Sequence, residues 1–134
     1  LKFKISVKSP TKFINLYKLN FMITIYHNPR CGKSREALQI LEEAGCEFEV
    51  VKYLENNISK ELLLQILEKL QIEPNDLVRK NETIWKENFK NQTLSNTELV
   101  DILVQNPILI ERPIVINGNQ AIIGRPPILI KNLI

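Results

Sequence analysis

Two hydrophobic periods alternate along this chain. Met22–Tyr26 is a short apolar run closed by His27-Asn28-Pro29 and predicts a strand. Ser34–Gly45 places Ala37, Leu38, Leu41 and Ala44 on one helical face and stops at a glycine. Glu47–Tyr53 returns to a strand pattern through Phe48, Val50, Val51 and Tyr53. Ser59 then caps a helix carrying Leu62, Leu63, Ile66, Leu67 and Leu70, closed by Glu73-Pro74. A capping box, Ser95 to Glu98, opens another helix that buries Leu99, Ile102 and Leu103 and ends at Asn106-Pro107. Between these two helices, residues 76–89 read as broken helix, with Trp85 as a packing anchor. Pro113–Ile116 and Gln120–Ile123 flank Asn117-Gly118, a dipeptide suited to the positive φ angles of a tight hairpin. A short terminal helix follows.

The order is strand, helix, strand, a helical block, then a hairpin. It predicts an α/β fold of the thioredoxin-like class, three-layered, with a mixed sheet and a helical insertion. A chain of 134 residues with 44% hydrophobic content supports one core. Residues 22–134 are expected to form that domain, and residues 1–21 to be a basic extension outside its core, with an additional strand or a partner-binding arm as the alternatives.

Charge sharpens the division. Of the 18 Lys and Arg, five are lysines within residues 1–21, which hold no acid, so residues 22–134 carry 13 basic groups against 15 acidic ones. A near-neutral body excludes the clustered cations of a nucleic-acid binder. Two cysteines, Cys31 and Cys46, and one histidine make neither a disulfide framework nor a structural metal site, which points to reducing cytosol and to no metal. No apolar run approaches the length of a membrane span, so no membrane partner is expected.

Candidate chemistry concentrates at residues 27–35, His-Asn-Pro-Arg-Cys-Gly-Lys-Ser-Arg, where the first strand turns into the first helix. Unpaired backbone N–H groups and the positive end of the helix dipole favour a thiolate there, and Arg30, Lys33 and Arg35 add positive charge. Cys31 is therefore read as a nucleophile or anion-binding thiol rather than a buried hydrophobe. Three distant arginines, Arg79, Arg112 and Arg125, are planar permanent cations suited to a tetrahedral oxyanion.

Together, His27-Asn28-Pro29-x-Cys31-Gly32-x-Ser34-Arg35, Tyr53-Leu54-Glu55, Leu77-x-Arg79-Lys80-Asn81, Asn106-Pro107-Ile108-Leu109-Ile110-x-Arg112-Pro113-Ile114-Val115 and Gly124-Arg125-Pro126 resemble the glutaredoxin-coupled arsenate reductase family, in its compact, short-tailed branch. The resemblance implies Cys31 as nucleophile, Arg79, Arg112 and Arg125 as oxyanion ligands, and a cis peptide before Pro113. It further implies a covalent reaction. Cys31 attacks the arsenic of arsenate with loss of water, glutathione attacks the adduct, and glutaredoxin resolves the mixed species as arsenite leaves. No bound cofactor is expected, glutathione serves as reductant, and a cytoplasmic monomer is expected.

His27, four residues before Cys31, suits thiolate stabilisation, proton relay or a structural hydrogen bond. Cys46 lies a helix length away, roughly 20 Å at 1.5 Å per residue, too far to act as a resolving thiol. Other readings are a glutathione-linked thiol oxidoreductase of different substrate, and the RNA polymerase-binding Spx-type regulators, which share the fold. Ser34 stands where their Cys-x-x-Cys switch has its second thiol.

Overall fold

The computed structural model describes residues 3–6 and 22–134. It divides into two compact units, one of residues 1–56 and 112–134, the other of residues 57–111.

The first unit is built on a five-stranded sheet of β1 (Phe3–Ser6), β2 (Ile23–Tyr26), β3 (Phe48–Val51), β4 (Ile114–Asn117) and β5 (Gln120–Ile123), in the order β1-β3-β2-β4-β5. Only β2 and β3 run parallel, with helix α1 (Gly32–Glu43) joining them. The other pairs are antiparallel, so the sheet is mixed as expected. Register builds the core: Ile23 faces Phe48, Ile25 faces both Val50 and Val115, and Val115 faces Ile122. With a side-chain period of two, these residues share one face, where they pack on Ala37 and Leu41 of α1 and on Ile130 of the C-terminal 3₁₀ turn Pro127–Asn132. Each fully buried aliphatic side chain contributes about 1.5–3 kcal/mol.

Three departures from the sequence reading have local causes. Phe3–Ser6 joins the sheet as an edge strand against β3, so this part of the leader is not outside the sheet; the rest of the leader lies outside the described residues. Ala44 is exposed rather than core, because α1 ends at Glu43 and Ala44 is its C-cap. In the hairpin Asn117 pairs with Gln120, so the turn residues are Gly118-Asn119 rather than Asn117-Gly118. Gly118 alone takes a positive φ, 65°, the pattern of a two-residue turn with glycine at its first central position.

The second unit is helical: α2 (Lys60–Leu70), a 3₁₀ turn Pro74–Leu77, α3 (Thr83–Asn88), α4 (Asn96–Gln105) and a second 3₁₀ turn Pro107–Leu109. Both helix starts follow the serine caps read from sequence. Ser59 Oγ accepts from Leu62 N at 3.1 Å and Ser95 Oγ from Glu98 N at 3.2 Å. α2 stops earlier than Pro74 would force, at a left-handed Gln71. Leu63, Ile66 and Leu67 of α2 and Leu99, Val100 and Leu103 of α4 are buried, and α2 packs on α4. Val78 bridges Ile110, tying the middle of this unit to its C-terminal end. Among the described residues no helix is long and apolar enough to cross a membrane.

Candidate active site

The turn that carries Cys31 is specified residue by residue. Asn28 occupies the first position of a β-turn and Pro29 the second, where its fixed φ is favoured; the turn closes with Cys31 N donating to Asn28 O at 2.9 Å. Asn28 Oδ1 accepts from Arg30 N at 3.0 Å, the local bond that makes asparagine a turn former. Arg35 reaches back from α1 to donate to Pro29 O at 3.0 Å. Ser34, fully buried, accepts from Asn28 N at 3.3 Å and ties the turn to the first helical turn. Sequence reasoning treated Ser34 only as a missing thiol. Its place three residues after the helix N-cap was the available signal for a structural role.

Cys31 is the N-cap of α1, with extended backbone angles (φ −92°, ψ 122°). The first intrahelical bond runs from Arg35 N to Cys31 O, which leaves the amides of Gly32, Lys33 and Ser34 without helical acceptors. At an N-cap, the amides two and three residues on are those aimed at the side chain, here Lys33 and Ser34. Partial burial raises the thiol pKa; the Ser34 amide, the Arg112 guanidinium, the Lys33 amide and the Ser34 hydroxyl outweigh it and lower the pKa to about 7. The amide contacts are looser than a closed cap hydrogen bond, so the guanidinium is needed as well. Cys31 remains partly accessible. Cys46, beyond the other end of α1, packs against the hydrophobic core, and burial pushes its pKa up.

Two of the three arginines converge on the thiol. Arg112, buried, lies just before β4, and Arg125 lies just after β5, so the hairpin delivers both to the same end of the sheet. Arg125 Nη1 stands 3.9 Å from Cys31 Sγ and donates to Arg112 O at 2.9 Å. The Arg112-Pro113 peptide is cis, as the resemblance implied, and so is Arg125-Pro126, which sequence reading missed. Gly124 N donates to Pro113 O at 2.9 Å, and a Cβ on Gly124 would lie 3.0 Å from Pro113 Cγ. A side chain there would press on Pro113 where the two arginine segments touch. Arg79 belongs to the helical unit, where its N–H donates to Leu109 O at 2.7 Å and its Nε pairs with Glu82 Oε1 at 3.2 Å.

His27 ends β2, donating its backbone N–H to Val51 O at 2.8 Å. Its ring is buried and Nδ1 has no hydrogen-bond partner among the described residues. Burial first, then the charges of Lys52 and Arg35, hold its pKa below the usual 6.5 against an opposing hydrogen bond at Ser34. The imidazole is neutral near pH 7 and supplies no counter-charge to the thiolate. Among the described residues no cluster of His, Cys, Asp and Glu could hold a metal ion.

A partly exposed, low-pKa thiol at a helix N-terminus beside two guanidinium groups can attack, and hold, a small oxyanion. The comparisons with known proteins agree with this chemistry. The chain is 43% identical over 107 residues to an arsenate reductase of Haemophilus influenzae, covering 78% of this chain and 92% of that protein. It is 46% identical over 107 residues to the uncharacterized protein YfgD of Escherichia coli K12, covering 78% and 90%. The solved arsenate reductase from Vibrio cholerae superposes with a TM-score of 0.81 at 40% identity, over 85% of this chain and 98% of that one. That likeness confirms the thioredoxin-like α/β fold. Residues 26–133, from the end of β2 to within one residue of the C-terminus, match the ArsC family model, and the chain belongs to the ArsC family.

Proposed function

We propose that this protein is an arsenate reductase in which Cys31 is the nucleophile and Arg112 and Arg125 bind the oxyanion. The observation that carries the reading is Arg125 Nη1 at 3.9 Å from Cys31 Sγ, on a thiol whose pKa is lowered to about 7. The Cys31 thiolate forms a sulfur–arsenic bond as one arsenate oxygen leaves as water. Two electrons are then required to take arsenic from +5 to +3. Glutathione attacks the adduct and glutaredoxin takes up the glutathione sulfur, so that two thiols end as a disulfide and arsenite departs, freeing Cys31. The place of Cys46 at the far end of α1, about 18 Å long at 1.5 Å per residue, supports an external rather than an internal reductant. Ser34 cannot form a disulfide, which supports the same reading, with external thiols of a reducing cytoplasm as the electron source. His27 enters as a neutral imidazole able to take up or give a proton, not as a charge partner.

The test is NADPH consumption with glutathione, glutaredoxin and glutathione reductase, with and without arsenate. Arsenate-dependent consumption that disappears in Cys31→Ser is expected. A site that protects Cys31 with other oxyanions yet turns over no arsenate would place the protein among glutathione-linked oxidoreductases of another substrate.

A further inference from the structure

A cavity of about 440 Å³ lies wholly within the helical unit, lined by Lys80, Lys86, Lys90, Asn75, Asn81, Gln92, Leu94, Leu99 and Trp85. Its size is that of a small-molecule site. Every charged residue in its wall is a lysine. The ion pairs found among the described residues, Lys60–Asp101 and Arg79–Glu82, engage none of the three, and all three are exposed. Three like charges around one concavity repel one another and are relieved by an anion.

The floor supplies a second, independent observation. Trp85 is only 7% exposed, its ring braced by Phe89 at a centroid distance of 5.8 Å. Its indole N–H has no acceptor among the described residues and is not closed off from solvent, so it is open to a ligand. The side chains of Asn75 and Asn81 are also without partners there, whereas Gln92 is engaged by Asn88 O at 2.8 Å. The wall thus offers cations and neutral donors against an apolar floor of Leu94, Leu99 and the indole.

We propose that this cavity is an anion-binding site for a small organic molecule carrying two or more phosphate or carboxylate groups. The lysines meet the charged oxygens, the indole N–H and the asparagine amides donate to the remaining ones, and the apolar floor takes the body of the molecule. Single inorganic anions engage only part of this wall and bind weakly.

Trp85 is the only tryptophan in the chain, so its fluorescence reports on this cavity alone. The full-length protein is titrated with ATP, as polyphosphate, and with citrate, as polycarboxylate, in parallel with isothermal calorimetry. A saturable change with either is expected, with the half-point rising about tenfold for each of Lys86→Ala and Lys90→Ala, as for loss of one charged hydrogen bond, and rising with added salt. A response to ATP alone assigns phosphate chemistry, and a response to citrate alone assigns carboxylate chemistry. Arsenate-dependent turnover is expected to persist in both variants. No saturable signal by either method, or an unchanged half-point in the Lys86→Ala/Lys90→Ala double variant, overturns the proposal.

Discussion

Arg125 Nη1 donates to the backbone carbonyl oxygen of Arg112 at 2.9 Å while standing 3.9 Å from Cys31 Sγ. One guanidinium therefore reads both the thiol and the main chain that positions the other arginine. Both contacts come from one nitrogen, whose two hydrogens are fixed in the guanidinium plane, whereas a lysine ammonium rotates and fixes neither direction. Arg125→Lys is expected to weaken arsenate protection of Cys31 against alkylation by about tenfold or more, as for loss of a charge-assisted bond. Because Arg125 is exposed, thermal stability should change little. Protection equal to wild type would show that the bridging geometry is not used.

Arg112 acts differently, since it is buried and its guanidinium lowers the Cys31 pKa. Arg112→Ala should move the midpoint of Cys31 alkylation to higher pH as well as weaken protection, whereas Arg125→Ala should chiefly weaken protection. Identical midpoint shifts in the two variants would contradict this division of labour.

Ser34 is the next test of how the thiolate is held. Its hydroxyl accepts from Asn28 N and lowers the Cys31 pKa. Ser34→Ala leaves a buried Asn28 N–H without that acceptor, which costs about 1–3 kcal/mol of stability. Chemical denaturation should show the loss, and the alkylation midpoint should rise in the same variant. A raised midpoint with no loss of stability would mean that the hydroxyl serves the thiol alone.

What the sequence made legible was what local chemistry decides. Ser59 and Ser95 cap helices because a short side-chain oxygen beside free amides has few better partners. Cys31 could be placed at a helix start because Asn28-Pro29 turns and Gly32 onward runs in helical period. The elements that escaped depend on pairing partners distant in sequence. Phe3–Ser6 alternates apolar and polar residues but is strand only because β3 offers it an edge. The hairpin turn moved by one residue because the facing of Val115 with Ile122 fixes the register, and a one-residue slip would reverse every side chain. Arg79 was grouped by side-chain type, and sequence gave no sign that Glu82, three residues on, pairs with it.

Gly124 offers a test of the scaffold beneath the arginines. An added Cβ would stand 3.0 Å from Pro113 Cγ and 3.2 Å from Ile130 Cγ2, both within packed surroundings. Gly124→Ala is expected to lower stability by about 1–3 kcal/mol, the usual range for overpacking. It should also weaken arsenate protection of Cys31, because the segments bearing Arg112 and Arg125 are pushed apart. Full protection with reduced stability would show that the site tolerates the displacement.

The pH dependence of Cys31 distinguishes a thiolate held by amides and arginine from one held by an imidazolium. A thiol whose pKa is lowered to about 7 is largely ionised above that pH, so the alkylation rate should rise through pH 7 and level off. Cys46, whose pKa burial raises, should still be gaining reactivity above pH 9. His27 has its pKa below 6.5, so it loses its proton at lower pH than the thiol and cannot be the cation that holds the thiolate at neutrality. The profile should therefore show one step for Cys31, and His27→Asn should leave that step near pH 7. Alkylation by a neutral reagent is the right readout because arsenate changes its own charge with pH and would overlay a turnover profile. If His27→Asn instead moves the midpoint up toward the roughly 8.5 of a free thiol, the imidazole is the counter-charge and the account of the thiolate given by Ser34, Arg112 and Lys33 is wrong.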